Sequence, residues 1–547
     1  MEPALAAQFI QQRYQQFYNT FDELTAQAKT RFIQRQWVEQ REAMRSRILL
    51  HDQAIEQIAL ELSAQTKLAE SNVGWWGKTG ELFDLAMEKN PIAQSFFDAV
   101  GRVYFKGDLA FTLFDVHRKA EIGKLPLTEY NFQSTSEFLY HGLRDLDFNV
   151  REVEEKSKRI DERLRAFMSG KGQVYMYPQL FYRNKHAYWL GYLYSPDRPI
   201  PLCFAFSNSA EGIELNALLT HEEEIKNVFA FSRSYFLVET RHADALVELL
   251  SLLMPSKPKA QLFMNLGYQE HGKELVVHQL HQHLQQNRTQ FVVAPGISGM
   301  VMMVFTLPDY DLVFKLIRDN FRPPKFVSRE EVIEKYRFIA MHDRVGRLAD
   351  AQRFEYMGLP IAYFEKDLLD YLLRECSHSV SVRNGMVCFQ DIYTERKMVP
   401  LNLYLDANRS ESENNHAVID FGNAIREMAL SNIFPGDLLI KNFGVTNEGR
   451  VVFYDYDEIV PLANCQFKDM PKARNDDEEM SAEPWYAVSE NDIFPQELVK
   501  FLLPEGEWRN LFATHHQQLY TARFWNELKE LHQRGELVDI QPYEENL

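Results

Sequence analysis

Asn432-Ile433-Phe434-Pro435-Gly436-Asp437-Leu438-Leu439-Ile440-Lys441-Asn442 sets an aspartate and an asparagine five positions apart, with Pro435-Gly436 turning the chain ahead of the acid and Leu438-Leu439-Ile440 as an apolar anchor. Thirteen positions after Asn442 stands Asp455, reached through the turn Asn447-Glu448-Gly449 and the short apolar strand Val451-Val452-Phe453. Phosphoryl transfer asks for these residue types in this order. An aspartate orients the incoming hydroxyl, and an amide and a second carboxylate hold Mg²⁺ against the phosphates. Asp437 is therefore the candidate catalytic acid/base, and Asn442 and Asp455 are the candidate metal ligands.

Upstream, Ala294-Pro295-Gly296-Ile297-Ser298-Gly299-Met300 precedes an apolar run from Met300 to Thr306. Glycines let backbone N–H groups approach phosphate oxygens, so this loop is a candidate cover for a nucleotide; an ordinary turn leading into a strand is the plainer alternative. It lacks the Lys-Ser/Thr pair of a P-loop. Lys315 sits inside Val313-Phe314-Lys315-Leu316-Ile317. An ammonium in an apolar strand needs a partner or a route to solvent, so Lys315 is either a phosphate-binding lysine or an edge-strand residue that snorkels. Ser328 to Asp343 reads as a helix with Ser328 as N-cap. Asn384-Gly385 reads as a hairpin turn between Val380-Ser381-Val382 and Met386-Val387-Cys388. Strand, strand, helix and hairpin in this order fit the smaller lobe of a kinase. The pattern departs from ordinary protein kinases: Pro435-Gly436-Asp437 stands for His-Arg-Asp, Asp455-Tyr456-Asp457 for Asp-Phe-Gly, and Ala482-Glu483-Pro484 inverts Ala-Pro-Glu.

The first half of the chain has a different texture. From Leu5 to Leu68 there is no Gly or Pro, and Ile10, Tyr14, Phe17, Phe21 and Leu24 recur at helical spacing. A break is expected from Asn72 to Gly80, with helices resuming around Phe96-Phe97 and Val150 to Arg165. Gln173 to Phe206 turns aromatic and β-branched, predicting a small strand-bearing insert with a hairpin at Arg183-Asn184-Lys185. The Gln- and His-rich His278 to Arg288 has little apolar stripe and is read as a separating segment, placing a boundary near Asn287. The expected fold class is α+β: a mostly helical domain over 1–287, then a bilobal protein-kinase-like domain over 288–547.

Composition narrows the partners. The 547 residues carry a net charge of −18, with 25% charged and 45% hydrophobic residues, which is globular and without general attraction to nucleic acid or anionic lipid. Four cysteines without close spacing read as free thiols. No signal-peptide core follows Glu2, and no apolar stretch approaches the roughly 20 residues of a membrane span. The expectation is a cytoplasmic protein.

The longer strings are more specific than any single motif. Ala294 to Met302, His342-Asp343-Arg344-Val345-Gly346-Arg347, Asn432 to Asp437 and Val451 to Glu458 together resemble the bacterial isocitrate dehydrogenase kinase/phosphatase family, most closely from about Phe291 to Phe494. The resemblance implies a bifunctional enzyme that uses ATP and Mg²⁺ to phosphorylate a serine of NADP-dependent isocitrate dehydrogenase, inactivating it. The same nucleotide pocket, with ADP or ATP bound, would serve removal of that phosphate. Carbon would thereby be divided between the citric acid cycle and the glyoxylate bypass. It also implies that the N-terminal half is regulatory, with AMP as an allosteric effector, and it leaves room for a homodimer. By position, Ala294, Pro295, Gly296, Ile297, Ser298, Gly299 and Met300 would cover the nucleotide and Lys315 would bind its phosphates. Asp437 would serve the kinase step, Asn442 and Asp455 the metal. Asp350 matches the acid given a special role in dephosphorylation, although the residues alone read it as a solvated helix carboxylate. Glu490 to Glu507 would be a substrate-recognition segment or, more plainly, a surface loop. Two other readings compete: an atypical small-molecule kinase and a nucleotide-binding pseudokinase scaffold.

Overall fold

The structure is a computed structural model describing residues 1–66, 73–106, 125–165, 167, 172–230, 236–240, 242–295, 299–321, 327–407, 409–471, 486–489 and 492–547. It has an α+β architecture that divides into two compact units. One comprises Met1–Asn320, Gln352–Thr394 and Gln541–Leu547, the other Phe321–Ala351 and Glu395–Ile540.

The first unit opens with helices α1 (Pro3–Ala26), α2 (Ala28–Ile33), α3 (Trp37–Gln65), α4 (Val73–Ala86) and α5 (Pro91–Tyr104). Ile10, Tyr14, Ile58, Leu62, Phe83, Phe96, Phe97 and Val100 form a core shared by α1, α3, α4 and α5, whereas Ala28 and Phe32 of α2 enter a different core. The expected break at Asn72 to Gly80 is corrected here. Asn72 lies outside the described residues, and the glycines from Gly74 to Gly80 are inside α4. Gly80 serves close packing, since a Cβ there would stand 3.1 Å from the Phe97 ring, as does Gly101 on α5, where one would stand 2.7 Å from the Trp76 indole, whereas Gly77 faces open space.

The strand-bearing insert is larger than its aromatic stretch suggests. Strands β1 (Thr128–Phe132), β2 (Gly172–Met176), β3 (Phe181–Arg183), β4 (His186–Leu193), β5 (Ile200–Ser209) and β6 (Gly212–Leu219) form one antiparallel sheet, ordered β1-β2-β4-β5-β6 with β3 on β4. The expected hairpin is present, with Arg183 opposite His186 and Asn184 at φ 53°. Both faces are covered, which explains the continuous apolar runs. Trp189, Phe204 and Phe206 enter one core with helices α6 (Thr135–Asp145) and α7 (Val153–Leu164). Tyr188, Leu190, Cys203 and Ala205 enter the other, with α8 (Glu222–Val228), α9 (Ala243–Leu253) and α10 (Lys259–Asn265).

The segment read as a separator is instead the second half of α11 (Gln269–Asn287), a continuous 19-residue helix. Its stripe is narrow, but Val277, Leu280 and Leu284 enter one core with Phe305, Phe314, Leu316 and Phe389. That core backs a second sheet of β7 (Val292–Val293), β8 (Met302–Thr306), β9 (Leu312–Ile317), β10 (Gln352–Pro360), β11 (Val380–Arg383) and β12 (Met386–Arg396), ordered β10-β12-β9-β8-β7 with β11 on β12. The Asn384-Gly385 turn has φ 49° and 76°, both positive as a two-residue type I′ hairpin requires.

The second unit begins with α12 (Arg329–His342), which starts at the expected Ser328 in a capping box with Glu331. It continues with β13 (Val399–Pro400), α13 (Leu401–Asp406), α14 (Glu411–Leu430), β14 (Ile433–Pro435), β15 (Phe443–Val445), β16 (Val451–Phe453) and β17 (Ile459–Pro461), then mainly helical structure to Gln533. Among the described residues, no helix is long and apolar enough to cross a membrane.

Candidate active site

In the second unit, β15 and β16 form the expected antiparallel hairpin, with Phe443 opposite Phe453 and Val445 opposite Val451. Every side chain in both strands is buried. Asn442, 4% exposed, stands at the mouth of β15, and its carbonyl accepts the Tyr454 N–H at 3.1 Å just past the end of β16. The Asn442 Nδ2 donates to the Asp437 backbone carbonyl at 3.0 Å, closing the five-residue loop. One hairpin thus holds Asn442 beside the turn that leads to Asp455 and ties Asp437 to Asn442. Asp437 and Asp455 are both half-buried. Gly436 makes the approach of this loop possible: its N–H donates to the Glu458 carbonyl at 3.1 Å, and a Cβ there would lie 2.6 Å from that oxygen.

The Asn442 amide oxygen and the Asp455 carboxylate are hard oxygen donors, suited to Mg²⁺. That ion takes one or two protein oxygens and completes its shell with phosphate and water. Among the described residues no group of three or more His, Cys, Asp or Glu could hold a metal. The residues present fit a nucleotide-borne ion.

Asp350 is not a helix carboxylate. α12 ends at His342, because the Asp343 side chain captures the next free N–H groups: Oδ1 accepts from Val345 at 3.0 Å and Gly346 at 2.8 Å, and Oδ2 from Leu348 at 3.4 Å. The chain then runs parallel to β16 through a Leu348–Phe453 bridge, with Phe453 N–H donating to the Arg347 carbonyl and Ala349 N–H to the Phe453 carbonyl, each at 2.8 Å. Asp350 and Asp455 each stand two residues beyond this bridge. Asp350 is half-buried and in electrostatic range of Tyr456.

A buried charge network that the sequence reading missed pins this arrangement. The Arg347 guanidinium donates to both Asp420 oxygens at 2.7 Å, to Glu427 at 2.8 Å and to the Val451 carbonyl at 2.9 Å. Asp420 also accepts the Val451 N–H at 2.7 Å. Against a burial that pushes it up, Arg347 holds Asp420 below the ordinary carboxylate range. Burial first, then the neighbouring charge of Arg347, brings Arg450 down to about 10, and Arg450 donates to the Val345 carbonyl at 2.6 Å. Arg344 donates to the Leu430 carbonyl at 2.7 Å and to that of Val538 at 3.2 Å. The string Asp343-Arg344-Val345-Gly346-Arg347 is therefore a clamp. The signal within reach of sequence was Asp420 and Glu427, acids two helical turns apart on one face of α14.

Lys315 lies in the first unit, on β9 opposite Val304 and 7% exposed. Gly296, Ile297 and Ser298 lie outside the described residues. Their flanks are tied to the same sheet: Ala294 N–H donates to Val304, and the Gly299 carbonyl accepts from the buried Arg318 at 3.2 Å. Pro295 and Met300 are described, and Met300 is exposed. Of the acids on α12, Glu331 is engaged in the capping box and Glu334 pairs with Arg337 at 2.7 Å. Glu490 and the Asp476 to Glu479 charge run lie outside the described residues, as does Ala482-Glu483-Pro484. From Asp492 onward the chain is anchored by Lys468, 2.7 Å from Asp492, and Phe494 packs on Tyr486, while Phe501 is 60% exposed.

Two family models match, described as the regulatory domain (residues 7–288) and the kinase domain (residues 289–545) of isocitrate dehydrogenase kinase/phosphatase (AceK). Among similar proteins, the isocitrate dehydrogenase kinase/phosphatase of Anaeromyxobacter sp. (strain Fw109-5) is 38% identical over 540 residues, covering 95% of this chain and 94% of the relative. Those of Burkholderia thailandensis and Burkholderia mallei are 35% and 36% identical over 561 aligned positions, covering 98% of this chain and 93% of each relative. With both halves matched and its two candidate acids held beside one hairpin, this chain belongs to the isocitrate dehydrogenase kinase/phosphatase family.

Proposed function

We propose that this chain transfers the γ-phosphate of ATP to a serine of NADP-dependent isocitrate dehydrogenase and also hydrolyses that phosphoserine, setting flux between the citric acid cycle and the glyoxylate bypass. The observation that carries the reading is the β15–β16 hairpin, which ties Asn442 to Asp437 and aims the chain at Asp455. In the forward reaction the serine Oγ attacks the γ-phosphorus, the bond to ADP breaks, and Asp437 accepts the hydroxyl proton. In dephosphorylation water attacks the phosphoserine phosphorus, the bond to serine Oγ breaks, and the serine oxygen takes up the proton that Asp350 removed from the water. Asp350 acts there as the base on water, a role that its half-buried place level with Asp455 suits. Asn442 and Asp455 would hold Mg²⁺, which neutralises phosphate charge when bound. Lys315 binds the nucleotide phosphates, with Ala294, Pro295, Gly296, Ile297, Ser298, Gly299 and Met300 as cover.

The functional division falls at 287/288, with residues 1–287 regulatory and AMP acting through them to favour dephosphorylation, in the cytoplasm. The reading is tested by intact-mass spectrometry of NADP-dependent isocitrate dehydrogenase after incubation with this protein, ATP and Mg²⁺. One added phosphate and lost dehydrogenase activity are expected, both absent with Asp455→Ala. An unmodified dehydrogenase alongside ATP turnover would point to another acceptor.

A further inference from the structure

We propose that the Tyr456 hydroxyl is a positioning group for dephosphorylation: by donating to the Ala349 carbonyl it fixes the backbone that carries Asp350 against the turn that carries Asp455. The inference rests on the proposed roles of Asp350 and Asp455. Tyr456 occupies the place of the phenylalanine in the Asp-Phe-Gly pattern, and its ring is buried edge-on against Tyr336 of α12, with centroids 5.1 Å apart at 84°. A phenylalanine would make that packing equally well. The added hydroxyl sits 2.7 Å from the Ala349 oxygen.

Residue 349 is thereby held on both sides. Its N–H donates to the Phe453 carbonyl, and its carbonyl accepts from both the Tyr456 hydroxyl and the Ala351 N–H at 2.8 Å. Asp350 lies between the two bonded residues and shares its short coil with them. A buried hydroxyl is costly unless it is paired, so its presence here indicates that the bond is used. Asp437 is fastened differently, through the Asn442 amide, so loss of the hydroxyl should fall unequally on the two reactions.

Tyr456→Phe in the full chain tests this, because it keeps the ring and removes one oxygen. Loss of a single positioning bond predicts a fall of about tenfold in kcat for phosphoserine hydrolysis with little change in KM, and a fall of less than about threefold in serine phosphorylation. If Tyr456 acts through Asp350, Tyr456→Phe adds no further loss of hydrolysis in an Asp350→Asn background. Hydrogen exchange across Leu348 to Ala351 should quicken in Tyr456→Phe whether or not substrate is present.

Equal losses in both reactions, no loss in hydrolysis, or multiplicative losses with Asp350→Asn would each overturn the proposal. A wild-type protein that transfers phosphate but hydrolyses none would remove the role of Asp350 on which the proposal rests. Unchanged exchange across Leu348 to Ala351 would by itself remove the positioning.

Discussion

Gly436 shows how little freedom the loop that carries Asp437 has. The Cβ of an alanine would stand 2.6 Å from the Glu458 carbonyl oxygen, a backbone atom held in the β14–β17 pairing region, so the loop and not its neighbour must move. Gly436→Ala is expected to cost about 1–3 kcal/mol in chemical denaturation and to lower phosphorylation by displacing Asp437. Arg347→Met should cost more, about 3–5 kcal/mol, because it strips the bidentate partner from Asp420 and the Nε partner from Glu427 in a buried site. Urea unfolding would measure it, and a loss under about 1 kcal/mol would mean that the network adds little. At this scale the loop that links Asp437 to Asn442 and the hairpin that leads to Asp455 were legible because their relation is local in the chain. Asp350 was misread as helical although α12 was expected to end at Asp343, because what holds the chain beyond it is a bridge from Leu348 to the distant Phe453. Arg347 gave no sign of its role because its partners lie 73 and 80 residues away.

The elements most legible in sequence were those that carry their own punctuation. Ser328 with Glu331 opens α12, and Asn384-Gly385 turns β11 into β12, each through backbone chemistry within four residues. α4 was hidden because glycine carries two meanings. In a turn it supplies positive φ; at Gly80 and Gly101 it lets helices approach. The two meanings predict opposite outcomes for Gly101→Ala. Helix propensity alone would stabilise by about 1 kcal/mol, whereas overpacking costs about 1–3 kcal/mol. The added Cβ would meet Trp76 at 2.7 Å, and that ring is stacked on Phe97 with centroids 4.3 Å apart, so it has no room to yield. Thermal unfolding of Gly101→Ala should therefore show a lowered midpoint. The extent of the first sheet and the continuity of α11 escaped for a related reason: a sheet covered on both faces and a helix with a three-residue stripe both lack the periodicity that sequence reading depends on.

Across the whole molecule, α11 joins two environments within the first unit: its first turns face buried charge and its later turns face the apolar core beneath β8 and β9. Burial first, then the charge of Asp98, pushes Glu274 up to about 8, with Arg102 and the Ser95 hydroxyl pulling the other way. Burial also pushes Glu270 up, but Lys273 and Arg102 outweigh it and hold this carboxyl at about 2. His51 and His271 complete the surroundings, His271 at 2.9 Å from the Ser95 hydroxyl. The native state holds the Glu274 proton more tightly than the unfolded chain does. Its contribution is therefore complete below the ordinary value of 4.5 and is lost as pH rises through about 8. Glu270 contributes above its ordinary 4.5, and that stability is lost as pH falls through about 2. Glu274→Gln should flatten the decline of the melting midpoint between about pH 4.5 and pH 8, and an unchanged decline would remove Glu274 as its source. The proposed site would serve both reactions from one hairpin and the coil bridged to it. The most direct measurement follows phosphate on purified NADP-dependent isocitrate dehydrogenase in both directions, with ATP for addition and ADP for removal, comparing the wild-type chain with Asp455→Ala. The wild type is expected to add one phosphate and then release it as inorganic phosphate, and Asp455→Ala to do neither; an Asp455→Ala protein that still removed phosphate at the wild-type rate would refute a site shared by the two reactions.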